Sequence, residues 1–129
     1  MKKYANFCRA LENLHELESF QGEYNAITLT GMASLYGLCF EQSWKAMKEI
    51  LEDQGYLAEK LGSPRMILKC AYAAGMLHDE QLWLDALASR NNVAHSYNEA
   101  VAKAIIEDTK NKYLKMFDAL QAEIERNWL

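Results

Sequence analysis

Proline is nearly absent, one residue in 129, and there are only six glycines. So few chain punctuators exclude an all-β sandwich, whose tight turns recur every ~8–12 residues. Cysteine is equally scarce: Cys8, Cys39 and Cys70 are odd in number, far apart and set among apolar residues. They leave neither a disulfide framework nor a CxxC metal site, and are expected to be reduced core cysteines. No apolar run approaches the roughly 18 residues that a membrane span needs. Met1-Lys2-Lys3-Tyr4 leads into an amphipathic stretch rather than the apolar region of a signal peptide. The expected compartment is the cytoplasm, with no membrane partner. Positive charge is not in excess either: 14 Lys and Arg against 18 Asp and Glu give a net charge of −4, with no basic tail. Contact with RNA must therefore be local, and no DNA partner is expected. GxGxxG and GxxxxGK[ST] are both missing, with no strand for either to follow, which excludes dinucleotide and P-loop sites. The three histidines, His15, His78 and His95, lack ligand spacing such as HExxH, so no metal and no resident cofactor is expected.

What is present is an ordinary globular composition, 50% hydrophobic and 25% charged, in a length that suits one domain over residues 1–129. Its periodicity is helical. Tyr4, Phe7, Leu11, Leu14 and Leu17 predict a first helix from Lys2 to Phe20, with Gly22 as its C-cap. A second helix is expected from Asn25 or Thr28 to Gln54, striped by Leu29, Ala33, Tyr36, Phe40, Trp44, Met47 and Leu51. Met32, Leu35, Leu38 and Cys39 widen that stripe beyond what one neighbour covers, which calls for a second contact such as another subunit. Gly55 stops it. Ser63 as N-cap with Pro64 at the first helical position starts a short helix to Ala74, closed by Gly75. Asp79 caps a fourth, Glu80 to about Arg90, and a last one is expected from Ala94 or Ser96 to the C-terminus. The sum is an all-α bundle of four or five helices.

Chemistry concentrates in Arg90-Asn91-Asn92-Val93-Ala94-His95-Ser96-Tyr97, which places a cation, two amides, an imidazole, a hydroxyl and a phenol between two helices. In an unbroken helix Arg90 and His95 lie five steps of ~100° apart, off a common face, so a break at the asparagines is needed for them to converge. An arginine and a histidine beside a phosphodiester form a minimal kit for RNA cleavage. Imidazole exchanges a proton near neutral pH, and the guanidinium fork stabilises charge on phosphorus. The 2′-hydroxyl of RNA is itself the nucleophile, so no metal is required. One site has half of an acid–base pair, and a two-fold dimer supplies the other half.

Arg90, His95 and Tyr97 form R-x4-H-x-Y, and the sequence here resembles the HEPN superfamily, with Asn91 after the arginine as is common there. Phe40-Glu41-Gln42-Ser43-Trp44-Lys45, Gly62-Ser63-Pro64-Arg65, Gly75, Asp79 with Trp83, and Arg90 through Glu99 look like its branch of nucleotidyltransferase substrate-binding proteins, over roughly residues 35–106. Asn92-Val93-Ala94 departs from the family, whose members often carry a hydroxyl there. The resemblance implies an antiparallel up-and-down bundle that forms a homodimer and pairs with a minimal nucleotidyltransferase. It further implies a toxin with metal-independent endoribonuclease activity. The partner, using its own ATP and Mg²⁺, silences it by transferring AMP to the motif tyrosine, which maps to Tyr97. A second view of the same branch is a non-catalytic subunit that binds substrate or nucleotide for the nucleotidyltransferase. Arg90 and His95 are thus the expected catalytic residues, Asn91, Ser96 and Arg65 supporting or nucleotide-binding ones, and Tyr97 the AMP acceptor.

Other residues have plainer readings. Trp44 and Trp83 are expected in the core or an interface. Arg65, a cation at a helix start, is unfavourable to the helix dipole and so is a candidate for phosphate or a partner carboxylate. Lys69, one turn on, is read as a solvated charge, as is His15 among Glu12, Glu16 and Glu18. His78 beside Asp79 is read as part of a helix-entry turn.

Overall fold

The computed structural model describes residues 1–56 and 62–129, and every regular element among them is helical. Helix α1 (Lys2–Leu14) turns Tyr4, Phe7, Leu11 and Leu14 inward, as their spacing requires. It ends earlier than the predicted Phe20, because the chain tightens at His15 into a 3₁₀ turn, His15–Glu18. In such a turn residues three apart eclipse, and Glu18 Oε1 sits 2.6 Å from His15 Nδ1 while Asp118 Oδ1 lies 2.7 Å from Nε2. His15 is therefore a bridge to the last helix rather than a merely solvated group. Nor is Gly22 a left-handed C-cap: among the described residues positive φ is confined to Gly55 and Gly75.

Helix α2 (Ala26–Asp53) opens with a capping box. Asn25 Oδ1 accepts from the N–H groups of Ile27 and Thr28, and Thr28 Oγ1 accepts from the Asn25 N–H, so orphan donors at both positions are satisfied. It closes at Gln54 and Gly55, the latter at φ +76°. This helix is the centre of the bundle, packed by α1, α3 (Pro64–Ala73), α4 (Glu80–Asn92) and α5 (Glu99–Asp108). That is why its apolar belt is so wide: Met32 and Cys39 are buried within the protomer itself. Of the extra residues Leu38 alone stays mostly exposed, at 58%. Trp44 packs half-buried against the core, whereas Trp83 lies inside it.

Ser63 Oγ accepts from the Met66 N–H at 3.2 Å and Pro64 occupies the first turn of α3. The helix ends in a Schellman motif, with Gly75 at φ +85°, Met76 N–H on Ala71 C=O and Gly75 N–H on Tyr72 C=O. Asp79 caps α4 through the Leu82 N–H at 3.0 Å. Helix α4 continues past Arg90 to Asn92, then narrows into a 3₁₀ turn, Val93–His95. The last rod begins at Glu99, later than Ala94 or Ser96, because Asn98 Oδ1 takes the N–H groups of Ala100 and Val101. A π turn, Thr109–Tyr113, joins α5 to α6 (Leu114–Asn127) without a break. Buried Thr109 donates its hydroxyl to the Ile105 C=O at 2.7 Å, a back-bond that competes with the regular ladder and distorts helices. The described residues thus form five helical rods, an all-α bundle as the sequence predicts.

The core is aromatic: the rings of Tyr36 and Tyr113 stack at 5.2 Å, and Phe117 meets Tyr36 at 6.1 Å and Trp83 at 5.6 Å. The Tyr36 hydroxyl donates to the Ala86 C=O of α4, and burial pushes that phenol far above its ordinary ionisation range, so it remains a donor. Burial likewise raises the Cys39 thiol. All three cysteines are free. No described helix is long and apolar enough to cross a membrane.

Candidate functional site

The R-x4-H-x-Y residues occupy the end of α4, the 3₁₀ turn and the two residues after it. Gly37 lets that turn rest on α2: a Cβ there would stand 3.4 Å from both methyl carbons of Val93. Val93 is half-buried on this contact, which accounts for an apolar residue in the middle of the motif.

Arg90 is held from below by α2. Its Nη1 lies 3.7 Å from Glu41 Oε2 and its guanidinium carbon 5.8 Å from the centre of the Phe40 ring, an ion pair and a cation–π contact that fix the fork in one place. Its Nε is buried without a partner among the described residues. His95 has a different neighbour. Its ring meets that of Tyr97 edge-on at 6.2 Å, and no hydrogen bond or ion pair joins it to Arg90 among the described residues. Within one protomer Arg90 belongs to α2 and His95 to Tyr97. The helical break comes after Asn92, at the second of the two asparagines.

Tyr97 is 83% exposed, unusual for an aromatic side chain in a helical bundle. Ser96, by contrast, is 7% exposed. Both line a cleft of about 500 Å³, together with Tyr24, Asn25, Ala26, Leu29 and Thr30 at the start of α2 and with Glu99 at the start of α5. Tyr24 is steadied by Phe20, ring to ring at 6.2 Å, and by Lys110, whose Nζ is 3.0 Å from the Tyr24 hydroxyl.

The remaining expected residues are less engaged. Asn91 is exposed and makes no side-chain hydrogen bond among the described residues. Arg65 is exposed on the first turn of α3 and joined to none of the motif residues by hydrogen bond or ion pair. Lys69 reaches across to Glu80 at 3.6 Å rather than toward Arg90. His78 binds Glu123 at 3.0 Å, leaving Asp79 to cap α4. Sequence reasoning did not find Glu41 as the partner of Arg90, nor Tyr24 and Asn25 as neighbours of Tyr97. The first is signalled only by an acidic residue on the central helix, and the second by nothing local, since 72 positions of chain separate Asn25 from Tyr97.

Comparison with known proteins bears on family and fold. Residues 2–126 match the family model described as nucleotidyltransferase substrate binding protein like. A crystal structure of a protein from Thermus thermophilus superposes with a TM-score of 0.80 at 25% identity, covering 93% of this chain and 99% of that one. No curated protein matches the sequence.

Proposed function

The chain belongs to the nucleotidyltransferase substrate binding protein like family, and from that premise we propose that it is the HEPN-type toxin partner of a minimal nucleotidyltransferase, which offers Tyr97 as an acceptor of AMP. The observation that carries this reading is the 83% exposure of the Tyr97 side chain beside His95. A phenol so placed is reachable by a second enzyme. In that step the phenol oxygen attacks the α-phosphorus of ATP, pyrophosphate leaves, and the phenol proton passes to a base of the partner.

In the unmodified protein, two copies join to make a metal-independent endoribonuclease. His95 takes the proton of a 2′-hydroxyl, that oxygen attacks the adjacent phosphorus, and the 5′-oxygen departs with a proton from the partner subunit's imidazole, leaving a 2′,3′-cyclic phosphate. Arg90 carries the charge that grows on phosphorus. The second copy supplies the acid that one protomer lacks, since His95 is the sole imidazole of the motif. AMP on Tyr97 sets a bulky anion against His95 and silences cleavage.

The second reading, a non-catalytic subunit that binds substrate for the nucleotidyltransferase, is favoured by the family description and by the ion pair that already occupies Arg90. Cleavage of a mixed RNA pool by the purified protein, with 2′,3′-cyclic ends scored, separates the two. Loss of cleavage in His95→Ala, with the melting temperature kept, supports the toxin. Full activity in that variant refutes His95 as the acid–base group, and no cleavage by the wild type favours the binding subunit.

A further inference from the structure

Phe40, Glu41 and Lys45 lie within two turns of α2, and all three bear on Arg90. The Phe40 ring centre is 5.8 Å from the guanidinium carbon. Glu41 turns one oxygen toward each of two cations: Oε2 is 3.7 Å from Arg90 Nη1, and Oε1 is 3.7 Å from Lys45 Nζ, one turn further along the helix. The turn before them receives Val93 at Gly37, so the 3₁₀ turn of the motif and the carboxylate that faces Arg90 are set by one rigid element.

Two features give this carboxylate a purpose other than stability. The pair with Arg90 is partly exposed, and such pairs add little to folding. At 3.7 Å it is also longer than a hydrogen bond, so Glu41 attracts the guanidinium without taking up its N–H groups. Arg90 makes no hydrogen bond among the described residues, and its Nε is buried without a partner there. The fork is thus held in place by charge and by the Phe40 ring while its Nη donors stay open, the condition in which it can close on a phosphate as charge grows there. Lys45 offsets the repulsion that a carboxylate beside the site would bring: Lys45, Glu41 and Arg90 together keep one net positive charge.

We propose that Glu41 is a positioning residue that aims Arg90 at the scissile phosphodiester, with Lys45 balancing its charge. The proposal rests on the reading of Arg90 as the group that carries charge on phosphorus, and it adds what aims that group. No bond to Glu41 forms or breaks in the step; it acts only through the arginine.

Glu41→Gln keeps the shape of the side chain and removes its charge. Glu52→Gln is the control, since Glu52 makes the same kind of pair with Lys48 at 3.8 Å, on the same helix. The first arm needs no RNA. Solvent exchange of the Arg90 Nε–H, followed by NMR in isotope-labelled protein, is expected to be about ten-fold faster in Glu41→Gln and unchanged in Glu52→Gln, with the melting temperature kept in both. An unchanged rate in Glu41→Gln overturns the proposal whether or not the protein cleaves RNA. The second arm is cleavage. In Glu41→Gln, kcat is expected to fall about ten-fold, while KM for RNA does not rise, since a negative charge near the substrate is gone. In an Arg90→Lys background the same substitution costs nothing further, because a residue that acts only through the fork has nothing left to aim; a merely structural role would lower both backgrounds alike. Wild-type kcat in Glu41→Gln, or the full loss repeated in the Arg90→Lys background, overturns the positioning role. No cleavage by the wild type overturns the ribonuclease reading and with it the part of Glu41 in that step, and faster exchange in the first arm then leaves Glu41 as the group that holds Arg90 for an anion bound by a non-catalytic subunit.

Discussion

Glu123 holds three hydrogen bonds among the described residues, and its removal gives a worked prediction. It is 9% exposed. Its oxygens accept from Asn127 Nδ2 at 2.6 Å, Trp128 Nε1 at 3.2 Å and His78 Nε2 at 3.0 Å. These bonds tie the end of α6 to the turn before α4, and they seat Trp128, whose ring lies 5.4 Å from Tyr56 and whose carbonyl accepts from Gln54 at 2.8 Å. Each hydrogen bond to a charged group contributes ~1.5–3 kcal/mol when buried. The His78 bond is discounted because that ring is mostly exposed. Glu123→Ala is therefore expected to cost about 2–4 kcal/mol, a fall in melting temperature of roughly 8–16 °C for a domain of this size. Trp128→Phe keeps an aromatic ring against Tyr56 and loses one bond, about 1 kcal/mol. The sign with pH is also fixed. The Asn127 hydrogen bond, with those from His78 and Trp128 behind it, lowers the Glu123 pKa against the opposing effect of burial. A lowered carboxylate pKa contributes stability that is fully present above the unfolded value and is lost as pH falls through the folded one. Thermal unfolding followed by helical circular dichroism, at neutral pH and again in acid, reads both effects. A loss below ~0.5 kcal/mol in Glu123→Ala at neutral pH, or a difference from wild type that grows in acid, refutes this reasoning.

Two further outcomes follow from particular contacts. His15 is held between Glu18 and Asp118; burial opposes its charge, but the two carboxylates outweigh it and raise its pKa. The stability it brings is then full below the unfolded histidine value and is lost as pH rises through the folded one. His15→Gln should flatten the decline in melting temperature as pH rises above the unfolded histidine value of ~6.5, and an unchanged decline would show that the bridge is not the cause. Tyr36→Phe removes the hydroxyl that links α2 to the Ala86 carbonyl, one turn before Arg90. It should cost about 0.5–1.5 kcal/mol in denaturant unfolding, and a neutral result would mean that this bond does not anchor α4.

The helices were legible because their signals are local. Asn25, Ser63 with Pro64, Asp79, Gly55 and Gly75 act through their own side chains or their own φ, and the structure has each at its predicted post. The errors came where a long-range or competing bond decides. Helix α1 stops at Leu14 because His15 finds Asp118, over a hundred residues away. The last rod carries a π turn because Thr109 bonds backward to Ile105, although its apolar spacing reads as continuous helix. The site followed the same division. The R-x4-H-x-Y residues are contiguous and could be read directly, whereas the Glu41 ion pair and the Tyr24 wall exist only once α2 lies against α4 and α5.

The central claim, that this family member presents Tyr97 to a nucleotidyltransferase, is tested most directly by intact mass. The purified protein is incubated with ATP, Mg²⁺ and its cognate nucleotidyltransferase, beside a Tyr97→Phe control. The account predicts a gain of one or more AMP units that is absent in the control. A stable complex with no gain in mass, or an equal gain in Tyr97→Phe, would contradict it.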